Sequence, residues 1–169
     1  MGFITPNDIE SFRSLYTLQL RYLLSAEKQI VVGLESMIKH ATDQQLKDAL
    51  QSHRQETQVQ AQRLEELISE LNGDADDKKC AVTAALVASA ENIVSESKAG
   101  PVRDAGLLAS AQKVEHFEMA SYGTARDWAK DLNLPRHAEL LQKTLDEEKH
   151  ANSLLNTIAQ RPNQVAVTA

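Results

Sequence analysis

Along most of this chain apolar residues recur three and four positions apart. That spacing lines one face of an α-helix and is not the alternation of a strand. The first such run holds Leu20, Leu23, Leu24, Ile30, Val31, Leu34, Met37 and Ile38. It predicts a helix from about Asn7 to His40. Thr5-Pro6-Asn7-Asp8 would open it, with a capping hydroxyl, proline at the first helical position and an acid in the first turn. After Ala41, Thr42 with Gln45 predicts a capping box for a second helix reaching about Leu71, closed by Asn72-Gly73. A polar turn follows, and an Ala-rich stretch predicts a shorter helix from Lys79 to Lys98, ended by Gly100-Pro101. Two more long helices are expected, from Val102 to Leu132 and from Pro135 to Gln160, separated by Asn133-Leu134. Residues 162–169 carry no helical period and are expected to be a flexible tail on a single domain spanning residues 1–161.

Loop lengths set the topology. The first two helices are separated by a residue or two, so they form an antiparallel hairpin, and the last two long helices do the same. About 30 residues lie between the hairpins, and a helix of about 18 residues rises about 27 Å at 1.5 Å per residue. That is enough to return the chain along the bundle. The expected fold is all-α: a ferritin-like four-helix bundle of two hairpins joined by a long crossover containing an extra short helix.

Polar residues interrupt the apolar stripes in a consistent way. Glu27 sits within the stripe of the first helix, and His53, Glu56 and Gln60 lie within that of the second. Glu115 and Glu118 interrupt the third long helix, and Glu147, Glu148 and His150 the fourth. Glu27 and Glu56 lie equally far from the first turn, about 14 residues or 22 Å. Glu118 and Glu147 are placed alike about the second turn. The arrangement reads as an imperfect two-fold repeat with one site at its centre. Each feature alone has a bland reading: a glutamate at the edge of a face, a hydrogen-bonded histidine, a solvated charge run. Jointly they point elsewhere, because buried charges must be paired or bind metal. Arg63 and Arg126 are the nearest candidate partners.

Oxygen ligands with imidazole suit iron or manganese, with zinc possible. The di-metal carboxylate plan takes one Glu from each of two helices and Glu-x-x-His from each of the other two. Glu147 and His150 have that spacing, with Glu148 as the alternative inward acid. The second helix departs from the plan. Its pair is His53-x-x-Glu56, the reverse order, and Val59 stands where a histidine would follow Glu56. Candidate metal ligands are therefore Glu27, His53, Glu56, Glu115, Glu118, Glu147, Glu148 and His150.

Composition narrows the function classes. A net charge of −6 argues against nucleic acid as a partner. The longest nearly apolar stretch, Cys80 to Ala90, is too short to cross a bilayer, so no membrane role is expected. A single cysteine excludes an internal disulfide and suggests a reducing, cytoplasmic setting.

Four segments also carry a family resemblance: Ala26-Glu27-Lys28-Gln29; His53-x-x-Glu56-Thr57; the run from Ala111 through Glu115, Glu118 and Tyr122 to Thr124; and Leu145-Asp146-Glu147-Glu148-Lys149. They closely resemble the YciE/YciF-type bacterial stress proteins, from about Asn7 to Ala159. The resemblance implies a ferritin-like fold similar to rubrerythrin, whose Glu-x-x-Glu and Glu-x-x-His patterns match Glu115/Glu118 and Glu147/His150. It also implies a stress role and a homodimer. The function expected is an iron- or oxidant-handling protein with a di-iron site, oxygen or peroxide being the small-molecule substrate of any oxidase or peroxidase-like activity. The alternative is a non-catalytic dimerisation or docking bundle with a vestigial metal site.

Overall fold

A computed structural model describes residues 9–71 and 78–168 of the chain. Five helices follow in order: α1 (Phe12–His40), α2 (Gln44–Glu70), α3 (Ala81–Glu96), α4 (Pro101–Asp131) and α5 (Pro135–Val167). The described residues contain no strand. None of these helices is long and apolar enough to cross a membrane.

Local chemistry sets the helix ends. Ser11 caps α1 through a reciprocal pair: the Ser14 backbone N–H donates to the Ser11 hydroxyl and the Ser11 N–H to the Ser14 hydroxyl, at 3.1 and 3.0 Å. The helix therefore begins at Phe12, five residues after the expected start at Asn7; the Thr5–Asp8 signal itself lies outside the described residues, and Ile9 and Glu10 precede the helix without helical structure. The cap of α2 is Asp43, whose carboxylate accepts from the Leu46 N–H at 3.0 Å. The Thr42–Gln45 box is thus replaced, because Thr42 is engaged elsewhere. The Asn72-Gly73 stop lies outside the described residues, with α2 ending at Glu70. Between α4 and α5, Asn133 takes a left-handed φ of 55°. There the Asn133 N–H reaches the Lys130 carbonyl and the Leu134 N–H the Ala129 carbonyl, both at 2.9 Å, a Schellman closure.

One expectation fails at the C-terminal end. The stretch expected to be a flexible tail continues α5 to Val167, with Pro162 inside the helix. The ring removes one backbone donor. Pro162 nevertheless continues the buried row of Leu155 and Ile158, and burial of that row holds the helix through it.

Two contacts fix the crossover topology. Asp104, in the first turn of α4, is buried and accepts from the Thr42 N–H (2.7 Å), the Thr42 hydroxyl (2.5 Å) and the Asp43 N–H (2.9 Å). The start of α4 therefore sits at the α1–α2 turn. At the other end, the start of α5 meets the end of α2: Arg136 pairs with Glu70 and Glu66, and His137 lies 3.2 Å from Glu70 while its other ring nitrogen meets the Tyr16 hydroxyl at 2.9 Å. The two hairpin turns are at opposite ends of the bundle.

The crossover helix α3 packs on α1 and α4. It is tied at its start by the Cys80 N–H donating to Ser25 Oγ and the Gln29 amide donating to the Cys80 carbonyl. Gly106 allows its close approach, since a Cβ there would stand 2.6 Å from an Ile93 methyl.

The interior divides into two apolar clusters. One lies toward the α1–α2 turn and includes Ile30, Leu34, Leu50, Leu107 and Leu155. The other lies toward the α4–α5 turn and includes Tyr16, Leu20, Leu64, Leu67 and Leu141. A polar layer lies between them on all four long helices. Asp104→Ala should lower unfolding stability by about 2 kcal/mol, because it removes the charge-assisted hydrogen bonds that tie the first turn to α4. A denaturant midpoint equal to that of the unaltered chain would show that this carboxylate does not join the hairpins.

Candidate metal centre

Helical spacing builds the polar layer. Glu27 comes from α1; His53, Thr57 and Gln60 from one face of α2; Glu115, Glu118 and Tyr122 from one face of α4; Thr144 and Glu148 from α5. Each is buried, Glu27 and Glu148 with no exposure and His53 with 7%. The ligand-type atoms of His53, Glu115, Glu118 and Glu148 lie within 4.8 Å of one another. His53 Nε2 is 3.2 Å from Glu115 Oε1 and 4.0 Å from Glu148 Oε2.

Around this group the partners are few. The Tyr122 hydroxyl donates to Glu27, and the Gln60 amide donates to Glu148 and, at 3.2 Å, to Glu147. One oxygen each of Glu27, Glu115 and Glu148, and both oxygens of Glu118, have no hydrogen-bond donor. Neither ring nitrogen of His53 makes an aligned hydrogen bond, so the 3.2 Å approach to Glu115 is proximity only.

Those orphans govern the electrostatics. Burial, then the charge of Glu148, pushes the Glu115 carboxyl up to about 10. Burial raises Glu148 to about 7, against hydrogen bonds from its neighbours. Glu27 and Glu118 are held well above the carboxylate range, first by burial and then by each other's or Glu148's charge. Burial lowers His53 to about 4, so at neutral pH its imidazole is uncharged with a lone pair available. A proton could bridge two of these carboxyls, but four acids in one dry layer cannot all ionise without a cation. Two unit charges 4 Å apart repel by roughly 4 kcal/mol at an effective dielectric of 20. Hard oxygens with one neutral imidazole fit a first-row divalent ion.

The eight sequence candidates divide. Glu27, His53, Glu115, Glu118 and Glu148 come together at the centre, and of the two adjacent acids on α5 it is Glu148 that faces inward. Glu147 instead makes a two-pronged pair with Arg63 at 2.7 and 3.0 Å. Burial alone would raise Glu147, but the Arg63 and Gln60 hydrogen bonds outweigh it and hold it below its ordinary value. Glu56 is half-buried at the rim and His150 is exposed. Arg126 pairs with Asp127 and Gln142, away from the centre. Gln60 and Tyr122 lie on the apolar stripes but carry no charge, so no acid-or-histidine pattern selects them.

The two-fold repeat is also imperfect in a definite way. Glu148 lies 30 residues after Glu118, and the position 30 after Glu27 is Thr57, whose hydroxyl donates to the His53 carbonyl at 2.8 Å. Three residues after Glu148, where the Glu-x-x-His plan places a histidine, stands Ala151.

Known proteins share this arrangement of helices. Residues 11–167 match the domain of unknown function DUF892. The chain belongs to the DUF892 family. It is 37% identical over 136 residues to Protein YciF of Escherichia coli (strain K12), spanning 80% of this chain and 82% of that protein. The crystal structure of the E. coli stress protein YciF superposes on this DUF892 chain with a TM-score of 0.88 at 32% identity, covering 92% of this chain and 99% of the other. YcfI of Rhodopseudomonas palustris superposes with a TM-score of 0.87 at 36% identity, covering 91% and 98%. The YciF-type resemblance and the ferritin-like bundle are thereby shown for this DUF892 chain.

The acids give a pH test. Groups whose carboxyls are raised on folding add stability below the ordinary carboxylate range, and that stability is lost as pH rises through their folded values, about 7 for Glu148 and about 10 for Glu115. His53 acts oppositely: its contribution is full above the usual histidine range and is lost as pH falls toward about 4. The Tm of the chelator-treated chain should therefore fall between pH 6 and 9. Glu115→Gln should flatten that slope and raise stability at pH 8 by on the order of 1 kcal/mol, about 2–4 °C in Tm. A flat profile for the unaltered chain would refute this account of the centre.

Proposed function

We propose that the centre of this bundle holds a pair of first-row divalent ions, iron first, and that the protein handles iron or oxygen-derived oxidants under stress. The observation that carries this reading is the layer of four buried carboxylates with unpartnered oxygens around a neutral, unpartnered histidine. Manganese or zinc would also satisfy this donor set. Glu27, Glu115, Glu118 and Glu148 would supply oxygens and His53 a terminal nitrogen. Bound iron would supply one-electron chemistry toward oxygen or peroxide.

The chain's own residues do the rest. Tyr122 fixes Glu27, and Gln60 fixes Glu148, so two carboxylates are oriented before any ion arrives. The apolar clusters on either side exclude water and raise the strength of every charge interaction between them. Similarity to YciF, a stress protein in E. coli, supports the stress setting. A homodimer in a reducing cytoplasm belongs to the same proposal.

A second reading rests on Thr57 and Ala151. The α2 helix brings no carboxylate to the centre and α5 no histidine, as in a docking or dimerisation bundle whose site has decayed. Metal binding separates the two. Anaerobic Fe(II) titration with elemental analysis should give two ions per chain, and ligand in hundredfold excess over Kd should add about 2.7 kcal/mol of stability. Glu118→Gln should weaken binding at least tenfold with helix content unchanged. A chain that takes up no iron, manganese or zinc, and whose Tm ignores all three, would sink the metal reading in favour of the scaffold.

A further inference from the structure

One cavity of about 70 Å³ opens between α2 and α5 and reaches the centre. Its inner end is formed by His53 and Glu115, its outer end by Glu56 and His150, and its walls include Ala49 and Ala151. Among the described residues, no lysine or arginine lines it. His53 is almost wholly buried, lines the cavity, and has no hydrogen bond at either ring nitrogen. Ala151, at the position where the Glu-x-x-His plan counted from Glu148 places a histidine, is one of the cavity's walls. We propose that this cavity is the port by which a divalent cation enters the centre, with Glu56 and His150 as transient ligands at its mouth. The inference rests on the metal reading above but concerns residues outside the central cluster.

Size and charge support the assignment. The cavity opens to solvent at its mouth and is wide enough for water and a small ion. A carboxylate and an imidazole there offer an arriving ion oxygen and nitrogen donors. The neighbouring approach past Glu147 is occupied by the Arg63 guanidinium, which repels a cation. A second cavity touching His53 and Glu115, beneath α3, measures only about 20 Å³ and is lined largely by apolar residues such as Ile30, Leu86 and Val87. A bare or hydrated cation has no partner along those apolar walls.

The test is anaerobic stopped-flow uptake of Co(II), read by its visible absorption, with the endpoint amplitude recorded separately from the rate. The double variant Glu56→Gln/His150→Gln should slow uptake by on the order of tenfold, with an unchanged endpoint. Ala151→Leu, which fills the cavity, should slow it likewise, with circular dichroism confirming the fold. Glu65→Gln, an exposed acid on another face paired with Lys28, should leave the rate unchanged. Full endpoints with unaltered rates in the double variant would overturn the port while leaving the metal centre standing. Loss of the endpoint in the double variant would make Glu56 and His150 ligands and also overturn it. A silent endpoint in the unaltered chain would overturn the port and the metal reading together.

Discussion

The constraint on which the rest of the structure depends is the burial of four carboxyl groups in one dry layer, where they cannot all ionise. Glu27, Glu115, Glu118 and Glu148 meet between two apolar clusters, and the nearest guanidinium, Arg63, is committed to Glu147. A bundle selected only for stability would fill these positions with leucine, since an unpaired buried charge costs more than any packing it displaces. Tyr122 and Gln60 each satisfy one carboxylate oxygen and leave the remainder open. The layer is thus partly organised and partly unsatisfied, a donor set that could hold a metal ion.

The architecture serves that layer. Asp104 locks the start of α4 to the α1–α2 turn, and Glu70 with Arg136 and His137 locks the start of α5 to the end of α2. With the two turns at opposite ends, residues near the middle of all four long helices fall at one depth. The same connectivity makes α3 necessary, and Gly106 lets it lie against α4 closely enough to cover that side of the centre. The asymmetry of the layer has a use as well. Where the two-fold plan would place a histidine, Ala151 lines a cavity that also carries Glu56 and His150.

Membership of DUF892 and the close superposition on YciF and YcfI place this fold on firm ground. The function has to be argued from the site, because one bundle can host several chemistries or none. The donor set and the orphaned atoms are what distinguish a metal centre from a scaffold.

The sequence by itself determined five helices, the two hairpins, the crossover and the depth at which acids interrupt the apolar stripes. These follow from spacing and turn chemistry, which are local. It also marked five of the central residues. Tertiary structure alone decided which of the adjacent acids Glu147 and Glu148 turns inward, because one residue on a helix is a rotation of about 100° and only packing sets the zero of that rotation. It decided that Thr42 serves Asp104 and leaves the cap to Asp43, a contact across 62 positions that no local pattern encodes. It carried α5 through Pro162 by burying that ring. It paired Gln60, already on the buried stripe of α2, with Glu148, and Tyr122 with Glu27, contacts in which an uncharged amide and a phenol matter only because of the carboxylates they meet.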